Sequence, residues 1–301
     1  MVNKDLKKAY NLIDYNLSTL SEIINKPYWG KNCKIQGFNL SNRTLQGDNY
    51  LSYATSLKFL KKALKQEKIS ALIITEDLFS EIADNEKENK SFILADFPEF
   101  EFYKLFSSIP YPDYNWPTVF SDIKIGKGAI IEEGVLLGKN ISIGENTVIK
   151  KGSIIGDNTI VGACSVIGGE GFQLIKDKDG KNMNIPHRGR TLIGSNVYVG
   201  DNTTISKSLF DGFTEIGDFT KIDNHVHVAH NCKIGDNCVL TAGVTLFGSS
   251  ELKNNVWMAP NSSVMNRVVV GEGAFVCANS FAAIDVKPNT KVFGMPAMKI
   301  K

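Results

Sequence analysis

From Ile125 onward an aliphatic side chain returns at every sixth position: Ile125, Ile131, Leu137, Ile143, Ile149, Ile155, Val161 and Ile167. Gly follows directly at 126, 138, 144, 156, 162 and 168. A small or β-branched residue stands four places after the aliphatic at Ala129, Val135, Thr147, Ser153, Thr159 and Ser165. The phase pauses, resumes at Ile193, Val199 and Ile205, slips by one residue, and runs on from Ile216 through Ile222, Val228, Ile234, Leu240 and Leu246 to Val276. A helix does not explain this spacing. Six residues turn an α-helix through about 600°, so the apolar positions would spiral around its axis. One long strand would need period two. A short strand, a bend and another short strand satisfy it, with the aliphatic inward, the small residue beside it and Gly or Asn at the bend. Stacked coils then bury one continuous core and pair their backbone groups with the coils above and below. Three hexapeptides per coil predict a triangular prism, a parallel β-helix over 121–286.

Residues 169–190 carry no hexad phase. Polar and rich in Gly, they predict an excursion loop thrown out from the prism, of a length that is often functional on a rigid scaffold. Residues 1–108 carry no hexad either and predict a small α/β domain. Ser18-Thr-Leu-Ser-Glu-Ile-Ile24 reads as a short capped helix, and Phe97–Phe106, with Pro98 early, as another. Ala71-Leu-Ile-Ile-Thr75 and Phe92-Ile-Leu-Ala-Asp96 read as buried strands. The Pro-containing stretch at 109–120 predicts a linker. Residues 287–301 predict a C-terminal tail that leaves the prism through the Gly/Pro turn of Val292-Phe-Gly-Met-Pro296.

Composition leaves that picture standing and removes several functions from it. The 301 residues are 43% hydrophobic and 22% charged, which is ordinary globular composition and ample for a core. With 34 basic and 32 acidic side chains the formal charge is +2, too balanced for a nucleic-acid surface driven by net charge. A local basic patch for a phosphorylated ligand stays open. The cysteines are Cys33, Cys164, Cys232, Cys238 and Cys277. Their odd number and the lack of a C-x-x-C argue against a disulfide framework or a structural zinc site and fit a reducing compartment. Cys232 and Cys238 fall on the small fourth position of the hexad, where Cys acts as a small hydrophobe. The polar start Met1-Val-Asn-Lys-Asp-Leu-Lys-Lys8 lacks the apolar core of a signal peptide, and no apolar run of about 18 residues suggests a membrane span. The expected location is the cytoplasm.

The densest chemistry lies in Lys221-Ile-Asp-Asn-His-Val-His-Val-Ala-His-Asn-Cys232, which holds three of the four histidines. His230 stands two places after Val228, Asn224 two places after Ile222, and Gly248 two places after Leu246. These are equivalent slots of the hexad, and Gly248 lies one full coil beyond His230. Asp223 follows Ile222 directly. Acyl transfer to an amine needs a base for the ammonium proton and a donor for the developing oxyanion. A neutral His suits the first role, and a backbone N–H at Gly suits the second because nothing blocks close approach. The alternative for His225 and His227 is plain solvation on a turn, or a zinc site using their alternation on one strand face. No third ligand set is evident for such a metal, and the expectation is none.

Hexapeptide repeats are shared by acetyltransferases, carbonic anhydrases and binding proteins, so they specify no activity alone. Four further segments carry a resemblance: Ile222-Asp-Asn-His-Val-His-Val-Ala-His-Asn231; Leu246-Phe-Gly-Ser249; Gly169-Glu-Gly-Phe172 with Ile185-Pro-His-Arg-Gly-Arg190; and Leu51-Ser-Tyr-Ala-Thr-Ser-Leu-Lys-Phe59. Together they resemble the family of UDP-3-O-acylglucosamine N-acyltransferases of lipid A synthesis and its relatives that act on other nucleotide-linked amino sugars. The resemblance implies a left-handed β-helix, a homotrimer with sites between neighbouring prisms, and lipopolysaccharide or O-antigen chemistry. It implies His230 as base, Asn224 as its polar neighbour and Gly248 as the oxyanion donor. It also implies Tyr53 and Phe59 gripping uracil, for which core packing is the alternative. It places the excursion, with Phe172, Arg188 and Arg190, near the sugar nucleotide; guanidinium geometry would suit the diphosphate.

Two departures bear on the substrate. Arg267, in Met265-Asn-Arg-Val268, stands where the lipid A enzymes have a second histidine, and the family's C-terminal helical extension has no counterpart. Both favour a shorter acyl group from coenzyme A over a long one from acyl carrier protein. The reading is an N-acyltransferase that moves an acyl group from a thioester co-substrate, with no bound cofactor, to a nucleotide-linked amino sugar for a surface polysaccharide. Base-assisted attack of the amine on the thioester needs no acyl-enzyme, with Asn224 or Asp223 orienting His230 or the amine. The alternatives are the lipid A enzyme itself, a non-catalytic nucleotide-sugar-binding β-helix and a metal-dependent hydratase.

Overall fold

Three hexads make one coil. Val148 and Ile149 pair in parallel with Val166 and Ile167, and the coil step recurs as 18 residues in its hydrogen bonds. The computed structural model describes residues 13–110, 122–296 and 298–299. The stacked strands form three sheets of ten, eight and seven strands, the faces of a left-handed β-helix. The first face carries Tyr198–Val199, Lys221–Ile222 and Val239–Leu240; the second Thr204–Ser206, His227–Val228 and Thr245–Leu246; the third Arg190–Ile193, Phe213–Ile216 and Lys233–Ile234. The aliphatic positions point inward as the period requires: Ile149, Ile167, Val199, Val228, Leu240 and Leu246 are fully buried in one continuous core. Ile125 departs from this, at 49% exposed in the first described coil, where no preceding coil among the described residues covers it.

The small fourth position has a physical reason beyond size. Thr147, Thr159 and Thr220 are fully buried, yet their hydroxyls donate to the carbonyls of Gly162, Gly194 and Gly235 at 2.6, 3.0 and 2.9 Å. A buried hydroxyl left unpaired would be costly, so the polar atom ties one coil to the next instead. Gly and Asn, expected together at the bend, divide the work. Asn140, Asn158, Asn196, Asn202, Asn237 and Asn255 take the left-handed conformation with φ between 53 and 61°, which Asn tolerates better than most residues. Gly after the aliphatic makes room instead: at Gly144 a Cβ would lie 2.5 Å from the backbone N of Ala163 in the next coil.

Among the described residues two coils are longer than 18 residues, and both lengthen at the same edge, between the second and third faces. The first lengthening is the excursion. The second corrects the one-residue slip expected after Ile205. Ile193 pairs directly with Ile216, and hydrogen bonds across this coil span 23 residues, so five extra residues sit between Ser206 and Phe213. The parallel ladder also continues past 286, because Lys291–Phe293 pairs with Phe275–Val276 before the chain turns back antiparallel at Met298–Lys299.

Contacts divide the chain into one unit of Met1–Pro112, Gln173–Pro186 and Phe210–Gly212, and another of Asp113–Phe172, His187–Leu209 and Phe213–Lys301. The first unit is built on a five-stranded sheet. Ile69–Ile74 lies at its centre between Ser91–Leu94 and Tyr50–Tyr53; Tyr28–Trp29 and Gly37–Phe38 form the edges. Pro98 opens the helix Pro98–Ser108 at its first turn, where the missing N–H costs nothing. The helix Leu17–Ile24 forms without the expected side-chain cap; the Ser18 N–H donates to Asn32 Oδ1 at 2.9 Å. The excursion is not a bare loop. Leu174–Lys176 and Asn182–Asn184 pair as an antiparallel hairpin, and Lys178 meets Glu101 Oε1 at 3.0 Å and lies over the rings of Phe97 and Phe100. Phe210, from the second insertion, packs among Phe102, Tyr103 and Phe106. Most of the expected linker, 111–120, lies outside the described residues.

Candidate active site on one edge of the prism

The edge between the second and third faces stacks the chemistry of successive coils into a column. Glu170 and Gly171 follow Val166–Gly169, Lys207 and Ser208 follow Thr204–Ser206, His230 and Asn231 follow His227–Val228, and Gly248 follows Thr245–Leu246. His230 Nδ1 lies 3.0 Å from Asn231 Oδ1. The Asn231 side chain is itself fixed, because Oδ1 also accepts the Leu209 N–H at 3.0 Å and Nδ2 donates to Ser208 Oγ. Its backbone, left-handed at φ 61°, donates to Thr214 Oγ1 at 2.8 Å. With Nδ1 turned to Asn231, Nε2 faces the next coil. A Cβ on Gly248 would lie 2.7 Å from it, so any larger residue there would have to push the imidazole aside. The Gly248 N–H donates no hydrogen bond among the described residues.

His187, the fourth histidine, returns from the excursion to this column. It is fully buried, and its ring meets that of His230 at 5.1 Å between centroids and 64° between planes. Glu170 Oε2 accepts the backbone N–H of His187 at 2.8 Å, and Glu170 Oε1 pairs with Lys207 Nζ at 2.6 Å. Burial opposes ionisation of Glu170, but the hydrogen bonds from His187 and Lys207 and the lysine charge outweigh it and bring its carboxyl down to about 2.

Other expected residues stand elsewhere. Asn224 does not join His230. It occupies the edge between the first and second faces, and its Oδ1 accepts the Asp201 N–H at 2.7 Å, while Asp223 Oδ1 accepts the Asn224 N–H at 2.8 Å. The shared hexad slot makes their positions equivalent on different edges, and the polar neighbour of His230 is Asn231. Arg188 and Arg190 are each 5% exposed, so neither guanidinium lies open to a diphosphate. Phe172 is 80% exposed. In the N-terminal unit Phe59 is exposed on Leu57–Leu64, whereas Tyr53 packs at 5.0 Å from Phe102 and donates to Glu99 Oε1 at 2.7 Å. Burial, reinforced by Tyr103 and Glu99, holds the Tyr53 phenol protonated well above its ordinary range. His225 is exposed at a left-handed bend, and His227 Nδ1 lies 2.7 Å from Thr204 Oγ1. No cluster of three His, Cys, Asp or Glu side chains is disposed to hold a metal among the described residues. Burial pushes the Cys232 and Cys238 thiols up to about 11, which removes them as nucleophiles. Cavities of about 620 Å³ lie beside Lys253, Glu272 and Lys287 and beside Trp29 and Phe79; neither includes His230 or Gly248.

Residues 213–248, the coils that carry His230 and Gly248, match the family model described as bacterial transferase hexapeptide (six repeats). The UDP-3-O-acylglucosamine N-acyltransferase of Campylobacter curvus is 35% identical over 127 residues, covering 42% of this chain and 40% of that protein. The enzyme of the same name from Helicobacter hepaticus is 35% identical over 133 residues, covering 44% and 40%. The chain therefore spans about two fifths of the length of the curated relatives it matches. A crystal structure of a UDP-N-acetylglucosamine acyltransferase superposes with a TM-score of 0.50 at 25% identity, covering 61% of this chain and 71% of that one. No helix among the described residues is long and apolar enough to cross a membrane. The chain thus carries hexapeptide repeats folded as a left-handed β-helix and is similar over part of its length to the UDP-3-O-acylglucosamine N-acyltransferases.

Proposed function

We propose that the protein is an N-acyltransferase that moves an acyl group from a thioester to the amine of a nucleotide-linked amino sugar. The observation that carries this reading is the pairing of His230 with Gly248: Nδ1 is engaged by Asn231, and Nε2 is turned to a glycine whose N–H donates no hydrogen bond among the described residues. In the proposed reaction the sugar amine attacks the thioester carbonyl as Nε2 takes its proton. The oxyanion is met by the Gly248 N–H, and the thiol leaves when the tetrahedral intermediate collapses to the amide. Within the first unit, the exposed ring of Phe59 is the surface we propose for stacking of the nucleotide base. Arg188 and Arg190 are left out of this scheme because of their burial.

The relatives' names favour UDP-3-O-acylglucosamine as acceptor over the surface-polysaccharide amino sugar preferred from the sequence, and it is the acceptor we propose. The donor is an acyl thioester, on coenzyme A or on acyl carrier protein. Thiol release by purified protein, with UDP-3-O-acylglucosamine and other UDP- and dTDP-amino sugars crossed against short and long acyl donors on both carriers, tests this. Release that depends on an amino sugar, and that falls ~10²–10⁴-fold in His230→Ala, is the expected result. Amino-sugar-independent release, or an unaffected His230→Ala variant, overturns it. Nucleotide-sugar binding without release by any pair would point to a non-catalytic protein.

A further inference from the structure

We propose that His187 is a positioning residue for His230, a proposal that rests on the reading of His230 as the base. His187 is fully buried, so it cannot meet substrate, yet its ring lies against the very imidazole that would. Burying an imidazole is costly unless the site holds it deliberately. Here three groups from two successive coils do so. Glu170 accepts the backbone N–H of His187 and lies 3.6 Å from the Nδ1 of its ring. Lys207 fixes the other oxygen of Glu170. Gly171 leaves the space that the Nε2 side of His187 fills, since a Cβ there would collide with that atom.

The two long coils brace each other around this contact. The returning excursion and the second insertion exchange backbone hydrogen bonds: Arg188 N–H to Leu209 O at 2.8 Å, Gly189 N–H to Ser208 O at 2.9 Å, and Lys207 N–H to Gly169 O at 2.9 Å. The insertion in turn holds Asn231 through Ser208 and Leu209. His230 is therefore gripped at Nδ1 by Asn231 and on its ring by His187, and both grips depend on the two insertions. A ring fixed at two places keeps one tautomer and one direction for Nε2, which an in-line proton transfer requires.

The test compares His187→Ala, His187→Gln and Gly171→Ala with His230→Ala, reading kcat, both KM values and the ring ¹⁵N resonances of His230. With only four histidines in the chain, those resonances are assigned from single variants. Gly171→Ala keeps the imidazole of His187 but moves it, and His187→Gln keeps a polar group in the cavity, so at least one folded variant reports. The expected result is a fall in kcat on the order of 10–10²-fold with both KM values nearly constant, and a mixture of His230 tautomers in place of one. Wild-type kcat and unchanged His230 resonances in His187→Gln and Gly171→Ala, while His230→Ala is inactive, would overturn the positioning role and leave the base in place. A raised KM with unchanged kcat would likewise overturn it, by assigning His187 to substrate binding. Wild-type activity in His230→Ala would instead remove the base itself.

Discussion

At the residue scale the candidate site depends on what a side chain may not be. Position 248 lies beside the imidazole of His230, and its Cβ would fall 2.7 Å from Nε2 and 2.8 Å from Cε1. Gly248→Ala is therefore expected to displace the ring and crowd the oxyanion position, lowering kcat roughly 10²-fold with little effect on thermal stability. Steady-state kinetics beside a calorimetric melt check both halves; unchanged kcat would remove Gly248 from the reaction. Asn231 and Asn224 illustrate how residue type alone misleads. Both are asparagines near a histidine in sequence, and both accept a backbone N–H. Only Asn231 also reaches His230, because it shares that residue's edge.

At the element scale, the five-residue insertion after Ser206 does work in each unit. Its first residues brace Asn231, and its last pass into the first unit. There Asp211 Oδ2 accepts from Tyr50 Oη at 2.5 Å and Oδ1 from Asn39 Nδ2 at 3.3 Å. Tyr50 is fully buried and Asp211 nearly so. Asp211→Ala would leave a buried phenol and amide without this acceptor, at a cost of about 1–3 kcal/mol per group, so urea unfolding is expected to show a clearly lower midpoint. An unchanged midpoint would mean that the network contributes nothing net. In the sequence this element shows only as a one-residue slip, because the step of eleven from Ile205 to Ile216 resembles two hexads less one.

At the scale of the whole molecule, we propose that the prisms associate as a homotrimer, as the resemblance implies, and light scattering should give three times the 33.1 kDa of the chain. A monomer at micromolar concentration would contradict this. The prism itself was legible from sequence, because its cause is local and repeated: every sixth side chain must turn inward, so Ile149, Val199, Val228 and Leu246 declare the fold one hexad at a time. The stacking of position 248 on position 230 was legible for the same reason, since one full coil of three hexads separates them. Period six does not distinguish one edge of a triangle from another, which is why Asn224 was expected beside His230 and stands on a different edge. The meeting of His187 with His230, and the passage of the hairpin and of Phe210 into the first unit, were decided only by tertiary structure. Those contacts are made where the chain leaves the repeat, and the path of an insertion is set by what its side chains find to pack against, which no periodicity records.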